Sequence, residues 1–116
     1  GTQIGTTQVK ADAWPALGGA NVLLGWDNAN SGRDCHGYMK SIRISNVARY
    51  TANFTAPSSD FVSDGSTVLL LNANGSEGQT TIVDESPSAH LAFLNNGAKI
   101  TTTQLINGGS TIMMNI

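Results

Sequence analysis

The run Asp34-Cys35-His36 is the only place in the sequence where an acid, a thiol and an imidazole lie side by side. A nucleophilic cysteine needs an imidazole that converges on its sulfur, whereas adjacent side chains of a strand point apart. A structural zinc ion needs a full tetrahedral set of ligands, and His90 is the only other histidine. We therefore interpret the run as a loop that leads into a strand at Gly37 and carries a half-buried thiol.

Carboxylate and amide oxygens are concentrated around this run, in residues 27–34. Calcium prefers such oxygens, at roughly six to eight per ion. The spacing is not that of the helix-flanked calcium loop, because no glutamate closes it, and Asp and Asn also favour turns by bonding their own backbone. We expect a plain turn and no cofactor. The alternative is a calcium site formed by Asp27, Asn28, Asn30 and Asp34.

The sequence offers no convergent pair of carboxylates for glycoside hydrolysis, which needs two acidic side chains that face one sugar. Glu77 and Glu85 both lie in turn-rich segments. Asp84 and Glu85 are adjacent, so they point to opposite faces of an extended strand. We predict no catalytic residues and a protein that is not an enzyme.

Three aromatic side chains could stack against the apolar face of a sugar. Trp14, which precedes Pro15, and Trp26 are the candidates for glycan contact, and Tyr38 is the third aromatic. The competing interpretation places Trp26 and Tyr38 in the core, because buried aromatics dominate the cores of small domains.

Short segments bounded by Gly, Asn, Ser or Asp must position these residues, a pattern typical of antiparallel sandwiches. Tyr38, Ile42 and Ile44 share one face of the predicted strand 37–45, which indicates a half-buried strand. The fold class is therefore all-β, with a single helical turn expected at 46–49. The predicted strands are 6–9, 21–26, 37–45, 67–72, 80–83, 91–94, 99–102 and 111–115, and the predicted turns include Asn96-Gly97 and Asn107-Gly108.

The composition limits the partners. Charged residues make up only 12% of the 116-residue chain, and the formal net charge is −2. Phosphate backbones and anionic lipid surfaces require clustered Lys and Arg, so a nucleic-acid binder and a polybasic membrane patch are excluded. No apolar run approaches the length of a membrane-spanning helix, and no signal peptide is expected. Cys35 is the only cysteine, which excludes an intrachain disulfide.

Residues 37–57 read GYMKSIRISNVARYTANFTAP and are the most distinctive run in the sequence. They resemble the closing motif of laminin-G-like, concanavalin-A-type jelly rolls, in which a strand similar to GYIDEVRIS leads into ARYTxNFTxP. Residues 21–26 resemble the strand before that motif, while 67–75 and 81–86 resemble the opening of a further module. We expect Arg43 and Arg49 to be structural, as partners of loop carbonyls or carboxylates.

The order of these motifs bears on domain organisation. A closing motif followed by an opening motif implies that residues 1–57 end one jelly roll and residues 67–116 start another, with a junction near 57–66. The alternative is one sandwich over 1–116 with its strands in permuted order. Unpaired strand edges are expected in both cases, and an exposed edge is a template for pairing with another chain.

The C-terminal segment is apolar after the turn at residues 107–109. One interpretation makes it a final core strand. The other makes it an assembly strand that adds to a partner's sheet, formed by Ile112, Met113, Met114 and Ile116.

Modules with this closing motif are common in bacteriophage tail fibres and other virion proteins, and in bacterial surface proteins. The resemblance implies a non-enzymatic structural or assembly module on the surface of a virion, as a capsid decoration or tail-fibre component. Its partners would be other virion subunits or copies of itself, with no nucleic acid and no membrane. The alternative is a carbohydrate-binding module for host-surface glycans, with Trp14, Trp26 and the loop 27–34 as its site.

Overall fold

Antiparallel strands make up the regular structure of the chain in a computed structural model, which describes residue 2, residues 22–25 and residues 35–114. These residues contain no helix, so the all-β prediction is confirmed. None of them belongs to a helix that could cross a membrane. The strands are β1 (Gly37–Met39), β2 (Ser41–Ser45), β3 (Thr67–Asn72), β4 (Thr81–Val83), β5 (Leu91–Phe93), β6 (Lys99–Ile106) and β7 (Gly109–Met114).

The described strands pair in two groups. β7 lies between β1 and β6 in a three-stranded sheet, while β2 pairs with β3 and β4 pairs with β5. A bridge between Leu71 and Asp84 joins β3 to β4, and the Glu85 N–H donates to the Leu70 C=O at 2.8 Å. The second group therefore runs in the order β2-β3-β4-β5, with β5 at its outer end.

Both groups of strands contribute to one apolar core. The buried residues that form it are Leu71, Ala73, Ile82, Ile100, Ile112 and Met114, with Met39, Ile42, Leu69, Ala92 and Leu94 packed against them. Apolar side chains from β1, β6 and β7 thus meet those from β2 to β5 in this core.

The chain passes from one group of strands to the other at Lys40, so the predicted strand 37–45 is split into β1 and β2. Met39 and Ile42 both pack against the core, although side chains at this separation face opposite sides of an uninterrupted strand. The prediction that Tyr38 shares a buried face with Ile42 is wrong for the same reason, and Tyr38 is 38% exposed.

Asn-Gly pairs form the tight turns at both ends of β6. Asn107 (φ 51°) and Gly108 (φ 76°) connect β6 to β7, and both have the left-handed conformation of a type I′ hairpin turn. Residues 96–97 have similar φ values of 53° and 84° before β6 begins. Both turns were predicted from the Asn-Gly pairs.

The remaining predicted elements have mixed outcomes. The strand predicted at 67–72 coincides with β3, while β6 continues past residue 102 to Ile106 because it forms a long hairpin with β7. The helical turn predicted at 46–49 is absent; the Asn46 N–H donates to the Ser66 C=O (3.0 Å), which continues the pairing of β2 with β3. Residues 22–25 form no strand, and the predicted strand 6–9 lies outside the described residues.

Candidate functional site

The outer face of the β4–β5 pair exposes three large apolar side chains. Val83 is 71% exposed, Leu91 89% and Phe93 64%, whereas Ile82 and Ala92 on the inner face pack into the core. Val83 lies directly opposite Leu91 in the pairing register. We call Val83, Leu91 and Phe93 the β5 patch. Neighbouring exposed apolar side chains of this kind are typical of a surface that meets another molecule.

Among the described residues, the backbone of β5 is unpaired on the side away from β4, which we call its open side. The Leu94 N–H donates to the Thr80 C=O at 3.0 Å, so by alternation Ala92 exchanges hydrogen bonds with β4 while its two neighbours do not. The N–H and C=O groups of Leu91 and Phe93 therefore point to the open side. No other strand of the described residues pairs with β5 there.

The outer edge of β6 is occupied near its start, where Ile100 exchanges backbone hydrogen bonds with Gly78 (2.9 Å) and Gln79 (2.8 Å) and a carboxylate caps the next two residues. Glu77 accepts hydrogen bonds from the Thr102 N–H (2.7 Å) and the Thr101 hydroxyl (3.0 Å). The bond from the Thr102 backbone, reinforced by the threonine hydroxyls, holds the pKa of Glu77 below its ordinary value. A charged side chain at a strand edge hinders pairing with another chain, and β5 contains no charged residue.

Asp84 anchors the β4–β5 pair to β3. The residue is 5% exposed, and its carboxylate accepts hydrogen bonds from the N–H groups of Leu70 (2.8 Å), Ser86 (2.9 Å) and His90 (2.8 Å). Burial raises the pKa of Asp84, but these hydrogen bonds outweigh burial and lower the pKa to about 2. Because His90 directly precedes Leu91, the anchor fixes the point at which β5 begins.

A cavity of about 250 Å³ opens beside β2, and its lining includes Arg43, Tyr50 and Phe61. The Arg43 guanidinium lies 4.3 Å from the centroid of the Phe61 ring, within cation–π distance, and one of its nitrogens is 3.5 Å from the Tyr50 hydroxyl. Tyr50 also stacks on Phe54, with ring centroids 3.9 Å apart.

The second arginine of this cavity is neutralised. Arg49 donates two hydrogen bonds to the Asp64 carboxylate, at 2.8 and 2.6 Å, in the fork geometry of a bidentate pair. These bonds hold the pKa of Asp64 well below its usual range. The prediction that Arg49 bonds a carboxylate is confirmed, whereas Arg43 contacts aromatic side chains.

Most residues of the predicted glycan and calcium sites lie outside the described part of the chain: Trp14, Trp26, Asp27, Asn28, Asn30 and Asp34. Within the described part, no group of three or more His, Cys, Asp or Glu side chains could hold a metal ion. Cys35 is exposed, where a half-buried thiol was expected.

The predicted assembly strand occupies the middle of a sheet. Ile112, Met113 and Met114 belong to β7, and Ile112 and Met114 are buried in the core. β1 and β6 already pair with the two edges of β7, so the described part of this segment is a final core strand and has no edge to offer a partner. Ile116 lies outside the described residues.

No family model, no curated protein and no solved structure matches this chain. Its function is therefore inferred from the geometry of its own residues. The β5 patch is absent from the sites predicted from sequence. The alternation of Leu91, Ala92 and Phe93 identifies the strand, but hydrophobicity alone would place the two large side chains inside and the alanine outside.

Proposed function

We propose that this chain is a non-enzymatic structural module that assembles through β-rich contacts between copies of itself. The observation that carries the proposal is the open edge of β5, flanked by the exposed side chains of Leu91 and Phe93. Folded proteins commonly protect edge strands with charges, prolines or bulges. Residues 91–93 contain neither a charge nor a proline, and their pairing with β4 is regular.

A two-fold pairing of β5 with the β5 of a second copy satisfies all of the open backbone groups. With Ala92 opposite its counterpart at the two-fold axis, Leu91 of each copy lies opposite Phe93 of the other. The N–H and C=O groups of both residues point to the open side, so each opposite pair exchanges two backbone hydrogen bonds. The edge is thus self-complementary, as a two-fold interface requires.

The same register matches the side chains. Leu91 of one copy and Phe93 of the other lie side by side on the outer face, and Val83 extends the apolar surface on each side. Cross-strand pairs of aromatic and aliphatic side chains contribute about 0.2–1 kcal/mol each. Neither β4 nor β5 contains a charged residue, so no like charges within these strands oppose the contact.

The short length of β5 makes a single contact weak. A three-residue edge buries far less than the roughly 1,200–2,000 Å² of a stable protein interface. Such a contact forms in solution at high protein concentration and becomes stronger when many copies are held close together. A capsid decoration or tail-fibre component presents its copies in this way, and the resemblance of residues 37–57 supports that virion setting.

The proposal includes a jelly-roll sandwich of the concanavalin A type. The support for it is that core side chains come from two groups of antiparallel strands, in addition to the closing-motif resemblance. Edge-to-edge pairing of β5 would extend one layer of such a sandwich into a continuous sheet across two copies.

Sedimentation velocity over a wide range of protein concentration tests this assembly role. We expect the unmodified chain to self-associate as concentration rises, and Phe93→Lys to remain monomeric because a charge at the edge opposes pairing. Val62→Lys is the matched control, since Val62 is 79% exposed and lies outside β4 and β5. A chain that stays monomeric at every concentration, or equal association of Phe93→Lys and unmodified protein, would contradict the proposal.

Carbohydrate recognition is the second proposed function, and the cavity beside Arg43 is the observation that favours it. Aromatic side chains and an arginine line this one small cavity, and a lining of this kind is typical of sites that bind a small polar molecule such as a sugar. The predicted contacts of Trp14 and Trp26 would be additional to this cavity. A glycan array probed with and without calcium tests the proposal, which a blank array in both conditions would contradict.

A further inference from the structure

The Arg43 guanidinium has no acidic partner among the described residues. The ion pairs there join Lys40 to Asp60 and Arg49 to Asp64, and neither includes Arg43. A guanidinium that stacks by its flat face keeps its N–H groups available in the plane of the group. Among the described residues, the Arg43 guanidinium lies over the Phe61 ring and makes one long hydrogen bond, to Tyr50, so most of its donors have no partner there.

The charges that line the cavity determine which charge a ligand should carry. Arg49 is neutralised by its bidentate pair with Asp64, which leaves Arg43 as the uncompensated cation among the described lining residues. One guanidinium matches a carboxylate, which carries a single negative charge and accepts two parallel N–H bonds. A phosphate group carries more negative charge than this cavity compensates.

The lining residues and the volume of the cavity determine the size and chemical type of the ligand that fits. Tyr50 is 47% exposed, and its ring stacks on the ring of Phe54. This contact holds the Tyr50 ring in place as an aromatic surface for a ligand. The volume of about 250 Å³ is below the roughly 300–1,000 Å³ of cavities for drug-sized ligands. A single ring with an apolar face fits these conditions, and the hydroxyls of Ser45 and Tyr50 supply polar partners.

We propose that this cavity binds an acidic sugar, with the sugar carboxylate on Arg43 and the apolar face of the pyranose ring against Tyr50. The inference deepens the second proposed function, carbohydrate recognition, and is independent of pairing through β5. Arg43 supplies the specificity for an acidic sugar over a neutral one, because a neutral ring leaves the guanidinium without its partner.

Titration of isotope-labelled protein with glucuronate, glucose and acetate, followed by NMR, tests this assignment. We expect saturable shifts at Arg43, Tyr50 and Phe61 with glucuronate, and at least tenfold weaker binding of glucose and of acetate. Equal affinities for glucuronate and acetate would overturn the proposal, because the ring would then contribute nothing. Equal affinities for glucuronate and glucose would overturn it as well.

Variants distinguish the contribution of the Arg43 guanidinium to binding from that of positive charge in general. Arg43→Gln should abolish saturable binding. Arg43→Lys keeps the positive charge at this position but loses the planar guanidinium, and should weaken binding at least tenfold. Lys99→Gln removes one positive charge from β6, outside the cavity lining, and should bind as the unmodified protein does. Unmodified affinity in Arg43→Gln would overturn the proposal.

The glycan array distinguishes failure of this inference from failure of the broader function. Binding to acidic glycans supports both. Binding to neutral glycans alone would overturn the acidic-sugar assignment and leave carbohydrate recognition intact. No binding to any glycan would overturn both.

Discussion

At the residue scale, Asp84 positions the strand that carries the proposed site. Its buried carboxylate accepts backbone hydrogen bonds from Leu70, Ser86 and His90, and so ties β3 to the start of β5. An unpaired buried donor is costly, because it loses its hydrogen bonds to water without replacement. Asp84 therefore makes the orientation of the β5 patch depend on one ionised group.

Replacing Asp84 should destabilise the whole chain. Asp84→Asn puts an NH₂ group where one carboxylate oxygen now accepts the His90 N–H and the Ser86 hydroxyl. We expect a loss of about 3 kcal/mol in the free energy of unfolding, measured by denaturant titration. The control is Asp60→Asn, at a partly exposed ion pair with Lys40, with an expected loss below about 1 kcal/mol. Equal losses in both variants would contradict the anchoring role.

The pH dependence of unfolding gives an independent readout of the same group. The pKa of Asp84 is lowered from 3.8 to about 2 in the folded chain. As pH falls below 3.8, the unfolded chain takes up a proton before the folded chain does, so stability is lost towards pH 2. Asp84→Asn should show a smaller loss over this window. An unchanged acid profile in the variant would show that Asp84 does not supply this stability.

Arg43 and Arg49, which both lie in the segment that resembles the closing motif, show how far residue types alone could predict contacts. A carboxylate partner for Arg49 was expected, and Asp64 supplies it from 15 positions along the chain. The contact of Arg43 with Phe61 was not expected, because Phe61 enters through a loop whose path no local pattern determines. The anchoring by Asp84 was missed similarly, since Leu70 is 14 positions away.

At the element scale, turns were the most predictable features, because their chemistry is local. Asn107 and Gly108 both adopt positive φ, which the Asn-Gly pair favours over other residue pairs. The interruption at Lys40 could not be predicted in this way. Residues 37–45 alternate well enough to form one strand, and it is the packing of Met39 and Ile42 on the same core that splits it.

The turn between β6 and β7 gives a test at this scale. Gly108→Ala should lower the free energy of unfolding by about 1 kcal/mol, because φ of 76° strains a residue with a Cβ atom. Gly65→Ala is the control: a Cβ atom meets nothing within 4 Å at either position, and Gly65 lacks a positive φ. Denaturant titration should show Gly65→Ala unchanged or slightly more stable. A Gly108→Ala variant as stable as this control would contradict the assigned turn.

The orientation of β5 is the element-scale feature that sequence patterns predict incorrectly. Its large side chains face outward and Ala92 faces the core, opposite Ile82. The high exposure of Val83, Leu91 and Phe93 shows that the outward face is uncovered within the described residues. Only the pairing register, which depends on contacts between distant segments, shows which face that is.

At the scale of the whole molecule, the two sheet edges at β6 and β5 differ in a way that matters for assembly. Glu77 caps the β6 edge at Thr101 and Thr102, while β5 presents uncharged backbone beside the β5 patch. The low overall charge of −2 leaves little long-range repulsion between copies. These features together favour pairing through β5 over pairing through β6.

Residue-resolved hydrogen exchange at low and high protein concentration tests whether β5 pairs with the β5 of a second copy. In a single copy, the Leu91 and Phe93 amides point away from β4 and should exchange rapidly, while the Ala92 amide is protected. Pairing of β5 with a second copy predicts that both open amides become protected as concentration rises, and that Phe93→Lys removes this change at Leu91. Rapid exchange of both amides at every concentration would contradict the account.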